Sequence, residues 1–383
     1  MSVMIDNFQY QGSSTNVVFG SGVAAQVGRH AKRLGMHRAF VVTDPAMAQT
    51  PARHAAVDAL VAAGVEVTLF TDVVLDPTDF SVEQAAVRYR ASGADGVIAL
   101  GGGSAMDTAK ALGVLVAANA TQIAPFYFGG GATPVGIPPL ICIPTTAGTG
   151  SEVTFVAIVT EADSQRKMLV RHPLIAPTVA LVDPLLSATM PPALTAYTGM
   201  DALSHALEAL TSTLAGPLSD ALAYDAIPRI IKALPCAVVN GADQEARAEM
   251  SYAALVAGMA FLSGRVHLGH AIGHSLGTVY HVPHGLACIV CMPAILELLR
   301  DECAVQLERI APAFGVETGA DVPKALEDVM RRCEIPRLST AIGLDSRVIP
   351  DLVELVQGES RLIALSRRQP TDEEWEQVFA KSM

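Results

Sequence analysis

Residues 96–110 read GVIALGGGSAMDTAK. Gly96 to Leu100 is an unbroken short apolar run, which predicts a strand buried on both faces. Gly101-Gly102-Gly103-Ser104 follows as a turn, and Ala105 to Ala117 then carries a helical period. A strand, a glycine turn and a helix start make an anion site. The glycines let the backbone come close, and the first helical N–H groups have no partner of their own. A pyrophosphate fits such a place. The spacing is not the GxGxxG of the usual dinucleotide fingerprint, so a tight structural turn stands beside that reading.

The same rhythm extends on both sides. Ala39 to Thr43 reads as a strand, Ala52 to Ala63 as a helix, Val65 to Phe70 as a strand and Ser81 to Ser92 as a helix. Leu140 to Ile143 and Val179 to Val182 read as further strands. The alternation predicts a parallel sheet with helices on both faces. Phe155 to Thr160 and Lys167 to Arg171, joined by the polar EADSQR, look like an inserted hairpin. Beyond Asp183-Pro184 the pattern changes to long apolar-periodic segments, at Pro192 to Leu214, Pro217 to Leu234 and Asp243 to Leu262. The expectation is therefore an α/β dinucleotide-binding domain over 1–184 and an all-helical metal and substrate domain over 185–383.

Composition excludes other classes. About half of the 383 residues are apolar, 17% are charged and the formal charge is −12. An interior of that size is easily filled. An acidic chain without a basic run is a poor candidate for binding nucleic acid, where Lys and Arg on phosphates supply the affinity. The first ten residues, MSVMIDNFQY, lack the charged and apolar regions of a signal peptide. The longest apolar candidate, Leu286 to Leu299, is short, holds Pro293 and is expected to be a core helix, not a membrane span. Six scattered cysteines point to a reducing cytoplasm, and Cys288 and Cys291 form a lone CxxC, expected to be part of that core.

Several segments carry chemistry. Pro144 to Glu152 reads PTTAGTGSE after the LICI strand, with hydroxyls that suit phosphate and ribose, or a bland polar loop. Asp44 ends the AFVVT strand, where a carboxylate accepts hydrogen bonds from ribose hydroxyls and repels the extra phosphate of NADP; helix capping is the competing reading. In GMDALSHALEAL, Asp201 and His205 are four apart on one helix face. In GHAIGHSLG, His270 and His274 repeat that spacing, and His284 lies in the turn HVPHG. One carboxylate with several imidazoles suits Fe(II) or Zn(II). Spacing alone leaves His267, His274 and His281 as rivals for the ligand places.

Four motifs in order then identify a resemblance. GGGSAMDTAK (Gly101 to Lys110), PTTAGTGSEVT (Pro144 to Thr154), GMDALSHALEA (Gly199 to Ala209) and GHAIGHSLGTVYHVPHG (Gly269 to Gly285) resemble the iron-containing (group III) alcohol dehydrogenases over nearly the whole chain. The resemblance implies a Rossmann-like α/β domain and a helical domain of dehydroquinate synthase-like fold, with the active site in the cleft between them. It implies Asp201, His205, His270 and His284 as metal ligands, and His274 as a residue beside the metal, near substrate and nicotinamide. Asp201, His270 and His274 are thus the expected catalytic group. It implies Gly102, Gly103, Ser104, Asp107, Thr145, Thr146, Thr149 and Lys167 as cofactor contacts, and Asp44 as the mark of a preference for NAD.

Three places depart from the family pattern. Asp76-Pro77-Thr78 stands where Asn-Pro-Thr is usual. Arg265 and His267 precede the ligand His270, in a segment that is usually small and apolar. Leu365 to Pro370 (LSRRQP) replaces a small or Gly- and Asn-rich stretch. Arg265, Arg367 and Arg368 offer guanidinium forks for an acidic group on the substrate, but arginines that are solvated or paired with the chain's many acids are the favoured reading; Phe155 and Phe261 are further candidate substrate contacts. The expected activity is hydride transfer between NAD(H) and a small alcohol or aldehyde, with Fe(II) or Zn(II). The expected assembly is a homodimer or larger homo-oligomer. A maleylacetate-reductase-like or glycerol-dehydrogenase-like oxidoreductase is the enzymic alternative. A non-catalytic NAD- and metal-binding protein is the alternative from another class.

Overall fold

The structure, a computed structural model, describes residues 8–383. It divides into two compact units. One comprises Ser13–Met190 and Gly241–Leu255, and the other Pro191–Asn240, Val256–Met383 and the described part of Met1–Gly12.

In the first unit the strands are β1 (Asn16–Phe19), β2 (Arg38–Val42), β3 (Glu66–Phe70), β4 (Gly96–Gly101), β5 (Leu140–Pro144), β6 (Val156–Thr160), β7 (Lys167–Arg171) and β8 (Val179–Val182). Six of them form one parallel sheet in the order β1-β8-β5-β4-β2-β3. Composition explains the order. β4, β5 and β8 are buried at every residue and lie inside the sheet, whereas β1 and β3 expose residues and form its edges. The helices α1 (Val27–Arg33), α2 (Pro51–Ala62), α3 (Asp79–Ser92) and α4 (Gly103–Ala117) connect them. Val27, Leu60, Ile98, Leu100, Ile141 and Leu181 belong to one core cluster. The expected hairpin is β6 paired antiparallel with β7. β1 is a four-residue, partly exposed strand at the sheet edge, too short to carry a clear strand period in the sequence.

The sheet order reverses between β2 and β4. β2 continues outward to β3, and β4 continues the other way to β5. Ligands of open α/β sheets bind at the carboxyl ends of the strands at such a point. Asp44 and the glycine turn lie there, just beyond β2 and β4.

The second unit is helical, as expected. Its long helices are α5 (Pro192–Thr211), α6 (Pro217–Val239), the C-terminal part of α7 (Gln244–Gly264) and α8 (Leu268–Tyr280). The single core helix expected at Leu286 to Leu299 is two short ones, α9 (His284–Ile289) and α10 (Met292–Leu298). Pro293 lacks an N–H and is accommodated in the first turn of α10, so it starts a helix instead of interrupting one. Among the described residues, no helix is long and apolar enough to cross a membrane.

Candidate active site

In the β-sheet unit the nucleotide-site candidates come from two adjacent strand ends. Gly101 pairs with Pro144, so the turn after β4 and the loop after β5 leave the sheet side by side. Gly101 has φ 155°, a backbone state that side chains rarely adopt. Gly102 is the N-cap of α4 and supplies no side-chain cap, which leaves the helix start open to an anion. Gly102, Gly103 and Ser104 are all partly exposed there. The two carboxylate oxygens of Asp44 have different surroundings. Its Oδ1 accepts from Met47 N at 2.8 Å, which is the capping reading, while a Cβ at Gly101 would come within 3.6 Å of Oδ2. One carboxylate oxygen therefore lies beside the glycine turn.

The β5 loop is braced from beneath. Lys110 is fully buried, and its Nζ donates to Ser151 Oγ at 2.7 Å, Val156 O at 2.7 Å and Thr154 Oγ1 at 3.3 Å. Asp107, expected among the cofactor contacts, commits its oxygens inward instead. It accepts from Ser151 Oγ at 2.7 Å and Ile158 N at 3.0 Å, with Lys110 Nζ 3.8 Å away. Its geometry is that of a loop brace, one helical turn beyond the anion site. Thr145 is buried, Thr146 and Thr149 are partly exposed, and Thr149 Oγ1 accepts from Ser151 N. Lys167 Nζ lies 3.2 Å from Asp76 Oδ1. Asp76 holds φ 50°, a left-handed state that Asp and Asn tolerate, so the departure from Asn is met with little strain.

The brace has a pH signature. Burial pushes the Glu152 carboxyl up to about 7, although Lys110 opposes the rise. A carboxyl raised on folding favours the protonated folded state. Its contribution is complete below the ordinary value of 4.5 and is lost as pH rises through about 7. Urea unfolding of the wild type and of Glu152→Gln, compared between about pH 5 and pH 8, is expected to show the wild type losing up to about 3 kcal/mol more. Parallel pH profiles for the two proteins would contradict this.

In the helical unit three helices bring their polar residues to one point. α5 presents Asp201, His205 and Glu208 at intervals of four and three. α8 presents His270 and His274, and α9 begins at His284. Gly285 allows the close packing, because a Cβ there would fall 2.0 Å from Tyr197 O and 2.9 Å from Asp201 Cβ. Asp201 Oδ1 lies 3.7 Å from His205 Nε2, 3.8 Å from His270 Nε2 and 3.7 Å from His284 Nε2. These separations are too long for hydrogen bonds. They are near the roughly 3.4 Å edge of a tetrahedral site with bonds of about 2.1 Å. Asp201 Oδ1 and His270 Nε2 are buried and have no hydrogen-bond partner. Two orphaned donor atoms of this kind fit a divalent cation, which would satisfy both.

Glu208 is the functional residue that the sequence reading passed over. It is fully buried. Oε2 makes a short bond with His270 Nδ1, and Oε1 accepts from His267 N at 2.8 Å, Gly269 N at 2.8 Å and His270 N at 3.3 Å. Burial opposes its charge, but His270, His267 and these N–H groups outweigh that and hold the carboxyl at about 2. A carboxylate on Nδ1 turns Nε2 of His270 toward the cation position.

The rival histidines have other places. His267 is buried, with Nε2 at 2.8 Å from Thr211 Oγ1. His281 is an exposed left-handed residue ending α8. His274 lies beside the site, its ring centroid 5.9 Å from that of His284, with Nδ1 3.6 Å from Glu359 Oε2.

The expected substrate residues divide. Phe261 stacks on the His205 ring at 4.1 Å. Phe155 is 1% exposed, beneath Arg171, and offers no free ring. Arg265 Nη2 donates to Gln11 Oε1 at 3.0 Å. Arg367 donates to Ser212 O and Glu302 O, and Arg368 pairs with Glu302 and Glu374. The C-terminal arginines thus hold their own segment together and are not assembled as an anion clamp. Their partners were invisible in the sequence because Ser212 and Glu302 are far along the chain.

Residues 14–184 match the family described as iron-containing alcohol dehydrogenase, and residues 195–383 match the C-terminal region of the same family. The chain belongs to the iron-containing alcohol dehydrogenase family. It is an oxidoreductase of alcohols and aldehydes. It is 35% identical over 356 residues to a choline dehydrogenase of Bacillus subtilis, covering 90% of this chain and 87% of the relative. It is 41% identical over 278 residues to an NAD-dependent methanol dehydrogenase of Bacillus methanolicus, covering 73% of this chain and 72% of the relative. A solved sulfoacetaldehyde reductase from Bifidobacterium kashiwanohense, in complex with NAD+, is similar with a TM-score of 0.91 and 30% identity, over 98% of this chain and 99% of that one. The two-unit architecture of this alcohol dehydrogenase is therefore that of its family.

Proposed function

We propose that this dehydrogenase moves a hydride between NAD(H) and a small alcohol or aldehyde, with Fe(II) or Zn(II) held by Asp201, His205, His270 and His284. The orphaned Asp201 Oδ1 and His270 Nε2 carry this reading, because a buried carboxylate oxygen and imidazole nitrogen without partners call for a cation. The ion, when bound, supplies a Lewis acid for the substrate oxygen, worth several kcal/mol. The chain's residues do the rest. Asp201 contributes the one negative charge of the ligand set. Glu208 fixes His270. His274, with Nδ1 toward Glu359, keeps Nε2 for proton transfer at the substrate. The open start of α4 at Gly102, Gly103 and Ser104 receives the pyrophosphate, and Thr145, Thr146, Thr149 and Lys167 line its surroundings.

Asp44 sets the cofactor preference in this reading. Its Oδ2 would accept from ribose hydroxyls and repel a phosphate there. Asp44→Ala is expected to raise kcat/KM with NADP at least about a hundredfold relative to NAD, since like charges cost several kcal/mol and each 1.4 kcal/mol is about tenfold. An unchanged ratio would remove Asp44 from that role. Uncharged substrates fit best, because Arg367 and Arg368 already have partners. Turnover of an uncharged aldehyde against an acid-bearing one of equal length tests this, and a clear preference for the acid would overturn it. A cytoplasmic homodimer or larger homo-oligomer belongs to the same proposal, and six unpaired cysteines are compatible with a reducing compartment.

A further inference from the structure

One half of the CxxC pair turns toward the metal site. Cys288 is one helical turn after His284 on α9 and is completely buried. Its Sγ lies 3.7 Å from both ring nitrogens of His284. One donor atom each from Asp201, His270, His284 and Cys288 falls within 4.8 Å of the others. Across from it, α8 carries Gly273, where a Cβ would meet the sulfur at 2.4 Å. The sulfur therefore occupies space that any side chain at position 273 would fill. Cys291, three residues on, is not in the group. The second observation is the pair of buried atoms without partners, Asp201 Oδ1 and His270 Nε2, which are members of the same group.

We propose that Cys288 is a sulfur donor to the bound ion, which makes this a mixed imidazole, carboxylate and thiolate site that favours Zn(II) over Fe(II). The inference rests on the metal reading given above. Thiolate sulfur is a softer ligand than imidazole or carboxylate and strengthens binding of borderline metals such as Zn(II) and Co(II). As the S–metal bond forms, a water leaves the ion and the thiol proton passes to solvent. No electron is transferred. His205 lies outside this group of four, although its Nε2 is 3.7 Å from Asp201 Oδ1.

The test uses the full chain, depleted of metal and loaded with Co(II) without air. The visible bands report that the ion is bound, and a thiolate-to-Co(II) charge-transfer band in the near ultraviolet reports sulfur. The expected result is both sets of bands in the wild type. In Cys288→Ser the visible bands should remain and the near-ultraviolet band should vanish. Competition between Zn(II) and Fe(II) should show the preference for zinc falling about tenfold in that variant. Visible bands without a near-ultraviolet band in the wild type would overturn the proposal, even if the variant fails to fold. So would a band that persists in Cys288→Ser. A wild-type chain that binds no Co(II) at all would instead overturn the metal reading beneath it.

Discussion

His284→Ala is expected to lose its metal and at least about a thousandfold of its turnover together. His284 is the best single ligand to remove, because its side chain is one-third exposed and begins a short helix. The fold should survive the change. The loss follows from the chemistry. With one imidazole gone, the ion keeps Asp201 Oδ1, His205 Nε2 and His270 Nε2 as nearby donors, and its affinity falls. A Lewis acid worth several kcal/mol then disappears from the transition state, and each 1.4 kcal/mol is about tenfold in rate. Metal content by mass spectrometry and steady-state turnover should fall in step, while the unfolding midpoint of the metal-free protein stays close to that of the wild type. Full activity in a metal-free variant would end the assignment.

Glu208→Ala should be the most destabilising single change in the helical unit. Three backbone N–H groups, of His267, Gly269 and His270, would lose their acceptor inside the protein, as would His270 Nδ1. Each buried donor left without a partner costs about 1–3 kcal/mol, so a loss of roughly 3–5 kcal/mol is expected after relaxation. Glu208→Gln keeps an acceptor oxygen and should cost less, yet still weaken metal binding by about 10–100-fold through the loosened His270. The pH dependence has a definite sign. The carboxyl is depressed from 4.5 to about 2 on folding. Its stabilisation is therefore complete above about pH 4.5 and is lost as pH falls toward 2, amounting to about 3 kcal/mol. Acid titration of the metal-free wild type, followed by circular dichroism, should show this loss, and Glu208→Gln should lack it. Wild-type stability in Glu208→Ala would refute the bracing role.

Much of the architecture was legible because local signals and burial agreed. The unbroken run Val97 to Leu100 could only be an inner strand, and the glycines after it could only end one. Asp201 with His205, and His270 with His274, announced shared faces through their spacing. The residues that escaped notice did so for physical reasons. Glu208 is the lone charge in HALEALTSTL, and a buried carboxylate in an apolar helix must have partners. That signal was present, but the partners are some sixty residues away and a single sequence does not show them. Cys288 was read within its CxxC, whereas its four-residue spacing from His284 was the informative relation. The sequence shows that Asp107 and the C-terminal arginines need partners but not which ones, because Ser151, Ile158, Ser212 and Glu302 become their neighbours only on folding. The order of strands, and with it the meeting of Asp44 and the glycine turn, also lay beyond local pattern.

The most direct test is NADH oxidation by metal-depleted protein with a short uncharged aldehyde, assayed with Fe(II), Zn(II) or no metal added back. We expect turnover only when a metal is restored, with little or none in its absence. NADH binding without turnover under either metal, or full turnover with none, would contradict metal-assisted hydride transfer as this enzyme's chemistry.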